Sequence, residues 1–170
     1  MILVCSLFLW TIYFFINLNR ANRKTKDAMN ELNFQKSALD EHAIVSITDA
    51  KGNITYVNDK FCKISGYEEK ELIGKNHRVL KSDEHDKDFF KTLWFVITSG
   101  KTWRGEVKNR KKDGSFYWVS ATVVPFLDEF GKPFQYISIR TDITKRKIIE
   151  EDLIEAKIKT DESKKEKGQF

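Results

Sequence analysis

Trp103-Arg-Gly-Glu-Val-Lys-Asn-Arg-Lys-Lys-Asp-Gly-Ser-Phe-Tyr-Trp118 decides the fold. Asp113-Gly114 signals a hairpin, because glycine accepts the positive φ that a tight turn needs. Strands are therefore expected at 102–110 and 115–127. Alternation places Trp103, Gly105, Val107 and Asn109 on one face of the first strand, and Arg104, Glu106 and Lys108 on the other. The second face reads as solvent. The first is apolar and ends in an amide. A buried amide costs free energy unless it is hydrogen-bonded. The partner for Asn109 is either backbone or the polar edge of a bound ring.

Composition narrows the function classes. The chain has 170 residues and a formal net charge of +5, enough for one domain with accessories. Basic residues are interspersed with acidic ones, and no basic groove interleaved with aromatics emerges, so a nucleic-acid partner is not expected. The two cysteines, Cys5 and Cys62, suggest neither a disulfide nor a zinc site. No nucleophile–base pair, phosphate loop or carboxylate dyad is legible, so no catalytic residue is assigned.

Outward from the hairpin, the chain divides into four parts. Residues 1–19 hold the apolar run Ile2–Leu18, at the short end for a membrane-spanning helix of about 17–25 residues. Arg20, Arg23, Lys24 and Lys26 follow it and place that side in the cytoplasm. The expectation is a single-pass anchor in the inner membrane with the folded part cytoplasmic. Residues 20–38 read as a connector helix, with a 3-4 seam at Ala28, Leu32, Gln35 and Leu39. Residues 39–144 read as β-β-α-α-α-β-β-β, an α+β domain with five antiparallel strands and the helices in one insertion. Asn58 and Gly66 bracket one helix there, and Asp86–Ser99 forms the longest, ended by Gly100. Residues 145–170 continue as a helix with a seam at Ile149, Leu153, Ala156, Thr160 and Ser163. Both seams suit either a solvated helix or a parallel homodimer.

The motifs of the central part resemble the PAS sensory domain. Asp49-x-x-Gly52-x-Ile54-x-Tyr56-x-Asn58, Gly66-Tyr67, Glu71-Leu72-x-Gly74, Lys112-Asp113-Gly114 and Asp142-Ile143-Thr144 carry the likeness. It implies a sheet cupping a pocket under the helices and a sensor that relays a signal to a fused effector. Leu93-Trp94-Phe95, Trp103-x-Gly105, Val107-Lys108-Asn109-Arg110, Tyr117-Trp118-Val119 and Ser138-Ile139-Arg140-Thr141 resemble the FAD-binding aerotaxis-receptor type. Gly74-Lys75-Asn76, with Trp103 and Asn109, is similar to the nitrogen-fixation redox-regulator type. This likeness implies FAD, with Asn109 at the polar ring edge and Trp94 and Trp103 against the rings. Asn76 and His77 join them as candidate contacts. Gly74-Lys75-Asn76-His77-Arg78 also resembles the photoactive motif of LOV domains. His77 occupies the place of the reactive cysteine, so a thiol adduct is excluded. Arg140 stands in place of the LOV glutamine, which argues for FAD over FMN.

Two other readings stay open. His85, in Asp83-Glu84-His85-Asp86, resembles the axial histidine setting of haem-binding PAS sensors, although a charged helix start is its simpler role. A ligand-free dimerisation and relay module is the other, with Trp94, Trp103 and Trp118 as plain core. Asp142-Ile143-Thr144 followed by Glu/Lys-rich heptads is similar to the segment joining a PAS domain to a histidine kinase. The expectation is the sensory front end of such a kinase, ending before its phospho-acceptor box, with that kinase as downstream partner and the bilayer as partner of residues 2–18.

Overall fold

The computed structural model describes the backbone of residues 2–167 and the side chains of residues 13–20 and 22–164. The chain divides into two units, residues 1–41 and 42–170.

The first unit is one helix, α1 (Ile2–His42). No glycine or proline interrupts this stretch, so helical hydrogen bonding runs through the boundary expected near residue 19. The separate 20–38 connector is thus part of a rod about 60 Å long. Leu32 and Leu39 of its seam are exposed. Among the described residues no helix is long and apolar enough to cross a membrane. Most of the expected span Ile2–Leu18, residues 1–12, lies outside the described side chains.

The second unit holds β1 (Ile44–Asp49), β2 (Ile54–Val57), α2 (Asp59–Ser65), α3 (Glu69–Leu72), a 3-10 turn (His77–Leu80), α4 (Lys87–Thr98), β3 (Trp103–Arg110), β4 (Phe116–Leu127), β5 (Pro133–Asp142) and α5 (Thr144–Lys167). The strands form one antiparallel sheet in the order β2-β1-β5-β4-β3. The helical insertion between β2 and β3 is the expected one.

Local chemistry explains the boundaries. Asn58 Oδ1 accepts the N–H groups of Phe61 and Val45, and its Nδ2 donates to the Ala43 carbonyl. One buried amide thus caps α2 and pins it to β1. Gly66 closes α2 at φ 75°. Asp86 caps α4 by accepting the Phe89 N–H at 2.7 Å. In the β3–β4 hairpin the Gly114 N–H donates to the Lys111 carbonyl, and the Lys111 N–H to Ser115. Within this loop Gly114 alone takes positive φ, at 88°. The loop is thus a type I turn followed by a left-handed glycine, which suits a three-residue connection. The core gathers Ile44, Ile54, Phe61, Leu72, Leu80, Ile97 and Val119, all nearly inaccessible. Burying each stabilises the fold by about 1.5–3 kcal/mol.

Candidate functional site

Two tryptophans define the walls of a cavity, and two glycines make room for them. The Trp103 indole folds back along β3 over Gly105, where a Cβ would stand 2.5 Å from Cζ2. This is the physical content of Trp103-x-Gly105. Trp94, on α4, reaches Gly52 in the β1–β2 turn, where a Cβ would stand 2.8 Å from Cη2. It meets the Tyr136 ring edge-on at 5.8 Å. Phe89 meets Trp103 edge-on at 5.7 Å.

The cavity between the sheet and α4 has a volume of about 540 Å³, within the roughly 300–1,000 Å³ of ligand sites. Trp94, Trp103, Asn109, Asn76 and His77 all line it, so the fold brings the five sequence-derived candidates around one cavity. Leu93, Ile97, Val107, Ala121 and Val123 supply apolar surface. Sequence reasoning named Ser138 only within the Ser138-Ile139-Arg140-Thr141 motif and did not single out Ser46 and Thr48; the three give the strand side of the cavity a polar strip. The cue was available: Ser46 and Thr48 share one face of β1, and Ser138 and Arg140 one face of β5.

Asn109 is 5% exposed. It lies opposite Tyr117 across the β3–β4 ladder, and its amide favours the ionised form of the Tyr117 hydroxyl. Burial raises the Tyr117 hydroxyl pKa to about 12. Asn76 is committed to the protein. Its Oδ1 accepts from Arg78 Nε at 2.8 Å, and its Nδ2 donates to the Lys51 carbonyl at 3.0 Å. It fastens the 3-10 turn to the β1–β2 loop.

His77 begins that turn, which carries no periodic pattern and was not expected from the sequence. Its ring points inward, edge-on to Phe61 at 6.0 Å, and Nε2 accepts from Arg140 Nη2 at 2.7 Å. Burial, reinforced by the Arg140 charge, lowers the His77 pKa to about 3. The imidazole is neutral, with its proton on Nδ1. Arg140, 7% exposed, also donates to Ser46 Oγ at 3.1 Å. Burial lowers its pKa to about 10, so it remains a cation at neutral pH. Arg78, Lys81, Lys87 and Lys91 stand elsewhere on the wall, which includes no Asp or Glu among the described residues.

His85 lies outside this wall. Its Nε2 accepts the Lys108 N–H at 2.9 Å, and its ring stacks on Phe89 at 4.2 Å. Ser82 Oγ donates to the Lys108 carbonyl, and Lys81 bridges Asn109. The segment 81–85 thus covers the outer edge of β3, which would otherwise present unpaired backbone groups. That bond engages Nε2, one of the two ring nitrogens through which an imidazole could ligate haem iron. The simple helix-start role was also too plain, because His85 caps a sheet edge.

The far face of β3 is not merely solvated. Glu106 pairs with Arg146 and Lys147 at the start of α5. Trp118, which was weighed as core, is half-buried on this far face. Lys147 and Lys108 lie over its ring at 5.2 and 5.6 Å. Its N–H donates to Thr144 Oγ1, and the Ile143 N–H donates to its carbonyl.

Comparison with known proteins agrees with this geometry. The PAS domain family matches residues 41–145. The chain belongs to the PAS domain family. This PAS domain is similar to the aerotaxis receptor of Escherichia coli (strain K12), with 41% identity over 109 residues, covering 64% of this chain and 21% of the receptor. It is similar to the nitrogen fixation regulatory protein of Klebsiella pneumoniae, with 32% identity over 109 residues, covering 64% of this chain and 22% of the relative. The chain thus spans about a fifth of the length of these curated relatives. Among solved structures, a PAS domain from Colwellia psychrerythraea superposes with a TM-score of 0.58 at 26% identity, covering 67% of this chain and 98% of the other.

Proposed function

We propose that this PAS domain is the sensory module of a signal-transduction protein, reading redox state or oxygen through non-covalently bound FAD. The cavity carries the proposal: Trp94, Trp103 and Asn109, the residues singled out by likeness to flavin-binding PAS domains, line the same cavity. Ser138 Oγ, buried and without a hydrogen-bond partner among the described residues, suits a cavity built for a polar ligand edge. Flavin would supply a flat ring whose polar edge changes hydrogen-bonding character with its redox state. Trp94 and Trp103 would wall the ring. Asn109 would present its amide, which can donate or accept. Losing that bond in one state costs about 1–3 kcal/mol, enough to bias two arrangements of strand and helix. The path out runs along β4 and β5 to Thr144, bonded to Trp118, and into α5. Arg140 in the LOV glutamine position supports FAD over FMN.

The absorption spectrum of the purified chain tests this. A flavin double band is expected, and chromatography of the released cofactor should give FAD. A Soret band would replace flavin with haem. A spectrum with neither would leave a ligand-free relay module.

The same reading extends to the rest of the chain. The run Ile2–Leu18 and the basic residues after it support a bilayer anchor with the PAS domain in the cytoplasm. A periplasmic reporter active after residue 170 would refute that orientation. Exposed Leu32, Leu39, Ile149 and Leu153 support a parallel homodimer, which sedimentation showing only monomer at high concentration would exclude. The downstream partner we infer is a histidine kinase.

A further inference from the structure

We propose that Arg140, with the hydroxyls of Ser138 and Ser46, forms a subsite that receives negative charge on the ligand, so that a reduced flavin is held there as its anion. This rests on the flavin reading above. Arg140 and Ser138 lie two residues apart on β5, both on the cavity wall. Ser46 stands opposite Ser138 in the β1–β5 ladder.

The partners of Arg140 are all neutral: Ser46 Oγ, the His77 imidazole, and the face of the Phe61 ring at 5.5 Å. Among the described residues no carboxylate stands on the cavity wall. A buried guanidinium without an acid is an uncompensated charge, which folding tolerates poorly. Beside it Ser138 Oγ, in a residue 6% exposed, has no hydrogen-bond partner among the described residues. A cation lacking its anion next to a hydroxyl lacking its partner is the complement of an anionic, acceptor-rich group. The pyrimidine end of a reduced flavin has that character when it carries one proton fewer than the neutral form. Reduction by an external low-potential donor, dithionite in the test, adds two electrons and one proton from solvent to the ring. The second proton stays in solvent, and Arg140 balances the charge.

Anaerobic redox titration of the full chain with dithionite over a pH series tests this. Wild type should take up one proton per two electrons in mildly acid solution, where reduced flavin in water carries both protons. Arg140→Gln should take up two, and its reduction equilibrium should be about tenfold less favourable, which is about 30 mV for a two-electron couple. Ser138→Ala should shift the equilibrium in the same direction by less. If Arg140→Gln keeps its flavin with wild-type potential and proton count, the subsite is overturned and the flavin reading survives. If wild type holds no flavin, both fall. Should Arg140→Gln not fold, an unchanged potential in Ser138→Ala overturns the subsite.

Discussion

A neutral imidazole is what lets His77 accept a hydrogen bond from Arg140. Its pKa in the fold, about 3, lies below the unfolded value near 6.5. The unfolded chain therefore binds more protons in acid, and stability falls as pH drops below about 6.5. His85 adds to the same trend, because burial lowers its pKa while Glu84 and Asp86 oppose the shift and Lys108 reinforces it. Each pH unit costs at most about 1.4 kcal/mol per histidine. His77→Gln keeps an acceptor for Arg140 but cannot titrate. Urea midpoints should therefore fall less between neutral pH and the onset of carboxylate protonation in His77→Gln than in wild type. An equal loss would remove His77 from the explanation. Asn109 poses a different question, since its amide is buried opposite Tyr117. Asn109→Ala should leave the sheet folded by circular dichroism and weaken flavin retention, as one hydrogen bond worth about 0.5–1.5 kcal/mol is lost. Unchanged retention would reduce Asn109 to a strand residue paired with Tyr117.

At the scale of elements, the coupling between sheet and exit helix runs through Glu106. Its carboxylate bridges Arg146 and Lys147, and these bonds hold its pKa below the usual range. Such half-exposed pairs contribute only about 0–1 kcal/mol to stability. Their effect should be local. Glu106→Gln should leave the thermal midpoint nearly unchanged while amide exchange in residues 144–150 accelerates. Equal exchange in both proteins would show that Thr144 and Ile143 hold α5 without it. The same elements show what was legible in the sequence. Asn58, Gly66 and Asp86 announced their helix ends because a cap is a property of one or two residues. The alternation Trp103, Val107, Asn109 announced the inner face of β3 because a strand repeats every second residue. The partners of Glu106 and Trp118 were not legible, since charges on a strand look solvated until another element is laid over them. The 3-10 turn His77–Leu80 escaped notice because four residues carry no period. The rod α1 ran through an expected boundary because hydropathy changes near residue 19 while helix propensity does not.

At the scale of the whole molecule, one sheet presents two working faces. The inner face carries the cavity residues on β1, β3, β4 and β5, and the outer face seats Trp118 and the start of α5. On the proposed function, a change at a ligand would reach the exit helix by crossing the sheet once. The cavity candidates were identified by family likeness, and their convergence came from the fold. Ser138 and Arg140 were legible as part of one motif, but their alignment with Ser46 emerged only when β5 was placed beside β1, because pairing of strands so distant in sequence leaves no local signature. The central claim is that this cavity holds the flavin ring. Its most direct test is a titration of FAD with apo-protein, followed by flavin fluorescence, for wild type and Trp103→Ala, with circular dichroism confirming that both are folded. Wild type should bind one FAD per chain with a sharp change in fluorescence, and folded Trp103→Ala, which lacks a cavity wall, should bind far more weakly. No binding by wild type, or equal binding by both, would contradict the claim.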